Sequence, residues 1–127
     1  MDPRKGPIVW VIKEQVKRGV TGPAPMDYTP AFKYGEVRFI TDFDMPLHAG
    51  GSLARAWNEA AIEFAQMYDQ DKDFIIPTGQ PTAMVMIGWI LAVAGAIPRF
   101  LVWRREDNNY VPFTPTEITE SQFAVLT

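Results

Sequence analysis

Stretches of different hydrophobic period divide this chain into segments. "PIVWVI", Pro7 to Ile12, is an unbroken apolar and β-branched run, which suits a strand buried on both faces. From Lys13 to Gly35 no period is sustained, and Gly19, Gly22, Pro23, Pro25 and Pro30 break any long helix, so a loop over 13–35 is expected, with a turn or two in "KEQVKR". Loops of this length in compact domains are often functional. "EVRFIT", Glu36 to Thr41, alternates as a second strand does. "GGSLARAWNEAAIEFAQMYD" predicts a helix capped by Ser52, with Leu53, Ala56, Trp57, Ala60, Phe64 and Met67 turned inward and Arg55, Glu59, Glu63 and Gln66 turned to water. "DFIIP" is a short third strand ending at Thr78.

The apolar run Ala83 to Ile97 is 15 residues, short of the roughly 20 that a bilayer-crossing helix needs. Pro81 at its start and Gly95 and Pro98 at its end mark it as a helix, apolar nearly all round and therefore expected to be covered on most sides. "PRFLVWRRE" is a fourth strand, and Asn108-Asn109 is expected to turn it into "YVPFT", an edge strand on account of Pro112. In the tail, 114–127, Thr114 with Glu117 and Thr119 with Gln122 are two candidate capping boxes for a short terminal helix.

Strand, loop, strand, helix, strand, helix, strand is the order of an α/β domain with a largely parallel sheet of four or five strands and two main helices, spanning 1–127. Right-handed crossovers bring the carboxyl ends of the strands to one edge, where open parallel sheets bind ligands. That edge is expected to carry Lys13 and Glu14, Thr41 and Asp42, Thr78 to Thr82, and Arg104 with Arg105. In "TGQPT", Gly79 permits a tight turn, Pro81 suits the first helical position, and Thr78 or Gln80 is a candidate cap. Free amides at such a helix start, with the positive end of the helix dipole, suit a phosphate or carboxylate; plain structural capping uses the same residues. Thr78, Gln80 and Thr82 would add side-chain hydrogen bonds. The stretch lacks the Gly-Lys-Ser/Thr ending of a P-loop and the spaced glycines of GxGxxG.

Composition narrows the classes. With 127 residues, 47% of them hydrophobic, the chain can bury a core as one domain. It has no cysteine, which excludes disulfides and thiol catalysis, and its single histidine, His48, leaves no histidine pair for zinc. A net charge of −3 argues against coating long nucleic acid, although the residues up to Arg38 hold seven basic against four acidic groups and the remainder five against eleven. The early basic groups Lys13, Lys17, Arg18 and Lys33 would suit a small anion or simply face solvent. "MDPRKGPIVWVIKEQ" has only a five-residue apolar stretch before Lys13, unlike a signal peptide, so a cytoplasmic protein without a membrane anchor is expected. Asp42 and Asp44 lie two apart, a spacing that would share Mg²⁺ but is also that of ordinary turn acids; no bound metal or cofactor is called for. Tyr28, Tyr34 and Tyr110 would stack on a base or pack onto the domain, and Trp10, Trp57, Trp89 and Trp103 suit core or interface. Two crossovers of one hand put both helices on one sheet face, unless the strand order reverses. A bare second face and an all-apolar helix both point to a homodimer.

"DFIIPTGQPTAMVMIGWILAVAGAIPRFLVWRREDNNYVPF", Asp73 to Phe113, resembles in layout the small Rossmann-like domains of CRISPR-associated CARF proteins and ring nucleases, and the whole chain is similar to small proteins encoded by bacteriophages. The first resemblance covers about a third of the chain. It implies a dimer with a Rossmann-like fold that binds cyclic oligoadenylates at the carboxyl edge, with Thr78, Gly79 and Gln80 on phosphate or ribose, and it supplies no catalytic base. The expected function is a sensor, sponge or slow metal-independent phosphodiesterase for a nucleotide-like anion, held by Lys13, Thr41, Asp42, Thr78, Gly79, Gln80, Thr82 and Arg104. In the last case Lys13 or Arg104 would stabilise the developing phosphorane charge. The alternatives are a phage interaction protein that binds and inhibits a host protein, and a metal-dependent hydrolase using Asp42 and Asp44.

Overall fold

The computed structural model describes residues 6–13, 16–19, 22–25, 27–46, 50–115 and 119–126. Its elements are β1 (Ile8–Lys13), β2 (Val16–Gly19), β3 (Gly22–Pro25), a 3-10 helix (Thr29–Tyr34), β4 (Glu36–Thr41), α1 (Gly51–Met67), β5 (Phe74–Ile76), α2 (Pro81–Val93), β6 (Phe100–Arg104), β7 (Asn109–Phe113) and α3 (Glu120–Leu126). Five strands form one mixed sheet in the order β4-β1-β5-β6-β7, parallel except for the antiparallel β6–β7 hairpin. This is the α/β, Rossmann-like arrangement that the alternation of strand and helix patterns predicts. The buried-both-sides runs are the inner strands: every residue of β5 and all but Lys13 of β1 are buried. Pro112 lies on the edge strand β7, where its missing N–H costs no ladder bond.

The strand order does reverse, since β4 lies on the far side of β1 from β5. Helices α1 and α2 nevertheless pack on one face: Trp57, Ala61 and Phe64 of α1 and Ala83, Ile87 and Leu91 of α2 share a core with Ile8, Trp10, Ile12 and Ile75. The opposite face is covered from within the segment expected to be a structureless loop. There the 3-10 helix buries Ala31, beside the buried Tyr28, against Val9, Val11, Phe74, Ile76, Leu101 and Tyr110, and β2 pairs with β3 as a separate antiparallel hairpin. Gly35 returns the chain to β4 at φ 154°, and a Cβ there would stand 2.6 Å from the Pro7 carbonyl oxygen, so only glycine lets the two strands meet.

Other local expectations shift. α1 starts at Gly51 behind Gly50, two glycines at φ 86° and 80°, so Ser52 lies inside the helix and caps nothing. Leu53 and Met67, expected inward, are exposed, and the buried stripe is Trp57, Ala61, Phe64 and the following Tyr68. The β6–β7 turn runs over 105–108, with Asn108 at φ 47° and Asn109 already in the strand. In the tail, the amide of Thr119 donates to Gln122 Oε1 (3.0 Å) and the amide of Gln122 to Thr119 Oγ1 (3.3 Å), the reciprocal capping box that starts α3. The other box falls on Glu117, which with Glu14 and His48 lies outside the described residues.

The ends of α1 and α2 are tied together. The Tyr68 hydroxyl, just past α1, donates to the Ile97 carbonyl (2.9 Å) and accepts from the Arg99 amide (2.9 Å), beyond α2. At the other end Gln80, ahead of α2, holds Met45, ahead of α1, with its side-chain oxygen on the Met45 amide (2.9 Å) and its amide nitrogen on the Met45 carbonyl (3.0 Å).

Candidate functional site

Because β1, β4, β5 and β6 are mutually parallel, their carboxyl ends share one edge, and Lys13, Thr41, Thr78 and Arg104 all stand on it. The edge divides into two sides. On the helical side, Lys13, Thr41, Asp44, Met45, Trp57, Gln80 and Ala83 surround a crevice too small for a water molecule. Its polar groups are engaged: Lys13 Nζ is 3.2 Å from Asp44, and the buried Thr41 hydroxyl lies 2.9 Å from the Phe43 carbonyl and 3.2 Å from that of Ile12. Gln80 spends its amide on Met45. One buried donor remains, the Trp57 indole N–H, which has no hydrogen-bond partner among the described residues.

Gly79 takes φ 115°, the sharp turn that leads from β5 into α2, and Pro81 opens the helix as the sequence predicts. Neither Thr78 nor Gln80 caps α2 with its side chain. Asp42 and Thr82 are exposed. Arg104 points along the hairpin turn, with Nε 2.6 Å from Asp107, and is not gathered with the others. Asp44, the second acid of the Mg²⁺ spacing, is the partner of Lys13, and no cluster of three metal-ligating side chains occurs among the described residues.

On the other side of the sheet a cavity of about 560 Å³ opens between the start of the 3-10 helix and the ends of β5, β6 and β7. Thr78, Asp27, Trp103 and Tyr110 line it together with Pro30, Pro77, Ile76 and Leu101. Trp103 meets Tyr110 edge to face, centroids 5.1 Å apart. Burial pushes the Tyr110 phenol above its ordinary value, and the nearby Tyr28 and Asp27 push it the same way. Tyr28 and Tyr34, the other tyrosine candidates, are packing residues, edge-on to Phe39 and Phe74.

The largest departure from expectation is α2. Its inner side, Ala83, Ile87 and Leu91, is buried, but Val85, Trp89 and Val93 are 72%, 61% and 74% exposed. Gly88 and Ala92, also exposed, lie between them. A groove of about 230 Å³, lined by Val85, Gly88, Leu91, Pro98 and Phe100 among others, connects this helix face to β6. Phe100 stacks on Phe113 of β7, 58% exposed. No charged residue occurs from Pro81 to Pro98.

One structurally important residue gave no warning in sequence. Asp73 reads in sequence only as the first residue of the strand "DFIIP", yet its carboxylate is fully buried and accepts from the Ile8 amide (2.9 Å), the Trp10 indole (3.0 Å) and the Asp69 amide (3.0 Å), fastening β1 to the start of β5. It lies at the amino edge, away from the candidate site.

Comparison with known proteins gives one relationship. The family model described as Phage Pam3 gp32-like protein matches residues 7–116, which takes in both candidate surfaces. No curated protein and no solved structure matches significantly, so the expected resemblance to CARF and ring-nuclease proteins finds no support in these comparisons. No helix among the described residues is long and apolar enough to cross a membrane.

Proposed function

The chain belongs to the Phage Pam3 gp32-like family of phage proteins, and we propose that it works as an interaction module, pairing with a second copy of itself through the outward face of α2 and the adjoining β6–β7 surface. One observation carries this reading: a three-turn helix whose solvent side is Val85, Gly88, Trp89, Ala92 and Val93, with no charge on it. The open parts of Val85, Trp89, Val93, Val102 and Phe113 amount to on the order of 600 Å² of apolar surface. That is at the upper end for a monomer and approaches the ~800 Å² per partner of a standard interface.

A second copy fits this surface better than a charged partner does. Charge is depleted at the centre of interfaces, and a patch without charge meets itself across a twofold axis without like-charge conflict. Gly88 has nothing within 4 Å of where a Cβ would stand, so the Trp89 ring of one copy can seat beside Gly88 and Ala92 of the other. Sedimentation equilibrium tests this: the protein should approach twice its 14.3 kDa with rising concentration, and Trp89→Glu should weaken association more than tenfold with unchanged circular dichroism. A wild type that stays monomeric overturns the pairing and leaves the patch to a different protein, as the host-directed alternative requires.

The competing reading, a nucleotide-like anion at the start of α2, draws support from the unpartnered Trp57 N–H and from first-turn amides that have no intrahelical acceptor. It requires the crevice to open, with Gln80 releasing Met45. Saturable binding of a cyclic oligoadenylate, abolished by the Thr78→Ala and Gln80→Ala pair, would establish it.

A further inference from the structure

We propose that the 560 Å³ cavity beside the 3-10 helix binds a small uncharged molecule with a flat aromatic body and a hydrogen-bonding edge, of the aromatic carboxamide type, its ring against Trp103 and its edge on the hydroxyls of Tyr110 and Thr78. The inference is independent of self-association, since Ile76, Leu101 and Tyr110 in the cavity wall belong to the core on the sheet face opposite α2. The cavity volume falls within the roughly 300–1,000 Å³ of small-molecule pockets and exceeds what one side chain of another protein would fill, so the occupant is a free molecule.

Two hydroxyls set the polar edge. Tyr110 is only 5% exposed, yet its hydroxyl makes no hydrogen bond among the described residues and is not sealed from solvent, so the cavity is where it opens. Burial pushes that phenol up, so it keeps its proton in ordinary buffers. Thr78, at the end of β5, donates its amide to the Ile76 carbonyl (2.9 Å) and brings a second hydroxyl to the same wall. Each hydroxyl can donate and accept, which matches a group that carries a carbonyl beside an N–H. Trp103 meets Tyr110 edge to face at 5.1 Å, a contact that holds the indole in place and leaves aromatic surface for a flat ring. The wall favours no charge. Asp27, the one charged group among the described lining residues, is committed to the turn that starts the 3-10 helix, where its Oδ1 accepts both the amide (2.9 Å) and the hydroxyl of Thr29. A charged ligand would lose hydration against a mostly apolar wall, with no counter-ion set aside for it.

Titration of the full chain with benzamide, followed in ¹H–¹⁵N spectra, tests the site. Benzamide should shift the Trp103 indole and the Thr78 and Tyr110 amides saturably, while its charged analogues benzamidinium and benzoate should bind weaker by about tenfold or more. Trp103→Leu, at a residue 43% exposed, should weaken benzamide binding about tenfold through loss of ring contact, with the dispersion of the spectrum unchanged. Tyr110→Phe keeps the buried ring and removes only the hydroxyl, and should weaken it about fivefold. Either charged analogue binding as tightly as benzamide overturns the assignment of a neutral ligand, and cyclohexanecarboxamide binding equally well overturns the flat ring. Benzamide binding that both variants leave intact overturns its placement, and the absence of saturable shifts overturns the site.

Discussion

Helices α1 and α2 share a sheet face, a core and hydrogen-bonded ties at both ends, yet their outward sides follow opposite rules. α1 sets Arg55, Glu59, Glu63 and Gln66 among its exposed positions, the polar stripe of a helix finished by solvent, with Leu53 and Ile62 as scattered apolar exceptions. α2 turns Ala83, Ile87 and Leu91 inward where α1 turns Trp57, Ala61 and Phe64, but shows water Val85, Gly88, Trp89, Ala92 and Val93. Inward faces are set by the fold; outward faces record what the helix meets afterwards. A helix apolar all round in a chain this small therefore reports an unfilled contact, and the site of that contact is the claim to test.

Tryptophan separates the two helices most sharply. Trp57 is 1% exposed under α1, so Trp57→Ala should cost about 3–5 kcal/mol in urea unfolding at every protein concentration. Trp89→Ala should change the stability of the dilute monomer by about 0.5 kcal/mol or less, yet weaken self-association about 30-fold, near 2 kcal/mol. Equal stability losses at the two positions would erase the distinction.

The ties between the helices come next in size. Gln80→Ala removes both hydrogen bonds to Met45 and should cost about 1–2 kcal/mol, without affecting association if the outward face alone mediates it. Cyclic oligoadenylate binding by the wild type that this variant loses would instead favour the anion reading.

The smallest effect is on pH dependence. Burial pushes the Tyr68 phenol above its usual 10.0, outweighing the lowering by the Arg99 amide and guanidinium. The unfolded chain then releases this proton first, so the contribution to stability is complete below about pH 10 and is lost as pH rises toward the folded value. Tyr68→Phe should flatten, in part, the fall of stability above pH 10 measured by urea titration; Tyr110, raised in the same direction, adds to that fall.

Element order was legible because period and breakers are local properties: "PIVWVI", "DFIIP" and the Pro81 to Val93 run each declare their type without reference to neighbours. The β2–β3 hairpin was not, since "VKRG" and "GPAP" carry neither alternation nor β-branched density, and the 3-10 helix begins at Thr29-Pro30, which reads equally as a turn. Crossover handedness put Lys13, Thr41, Thr78 and Arg104 on one edge in advance. What each of those side chains is bonded to depends on tertiary distance: Gln80 meets a residue 35 positions away, and Asp73 meets partners 63 and 65 away. The exposure of α2 was hidden for a related reason. Hydrophobicity states that a helix wants cover, but not whether the same chain supplies it.

Hydrogen exchange of the intact protein across a hundredfold range of concentration addresses the central claim most directly. Self-association through α2 predicts that amides in residues 81–93 become more protected as concentration rises, while those of 51–67 in α1 stay unchanged. Exchange in α2 that is independent of concentration, or protection gained equally by both helices, would contradict it.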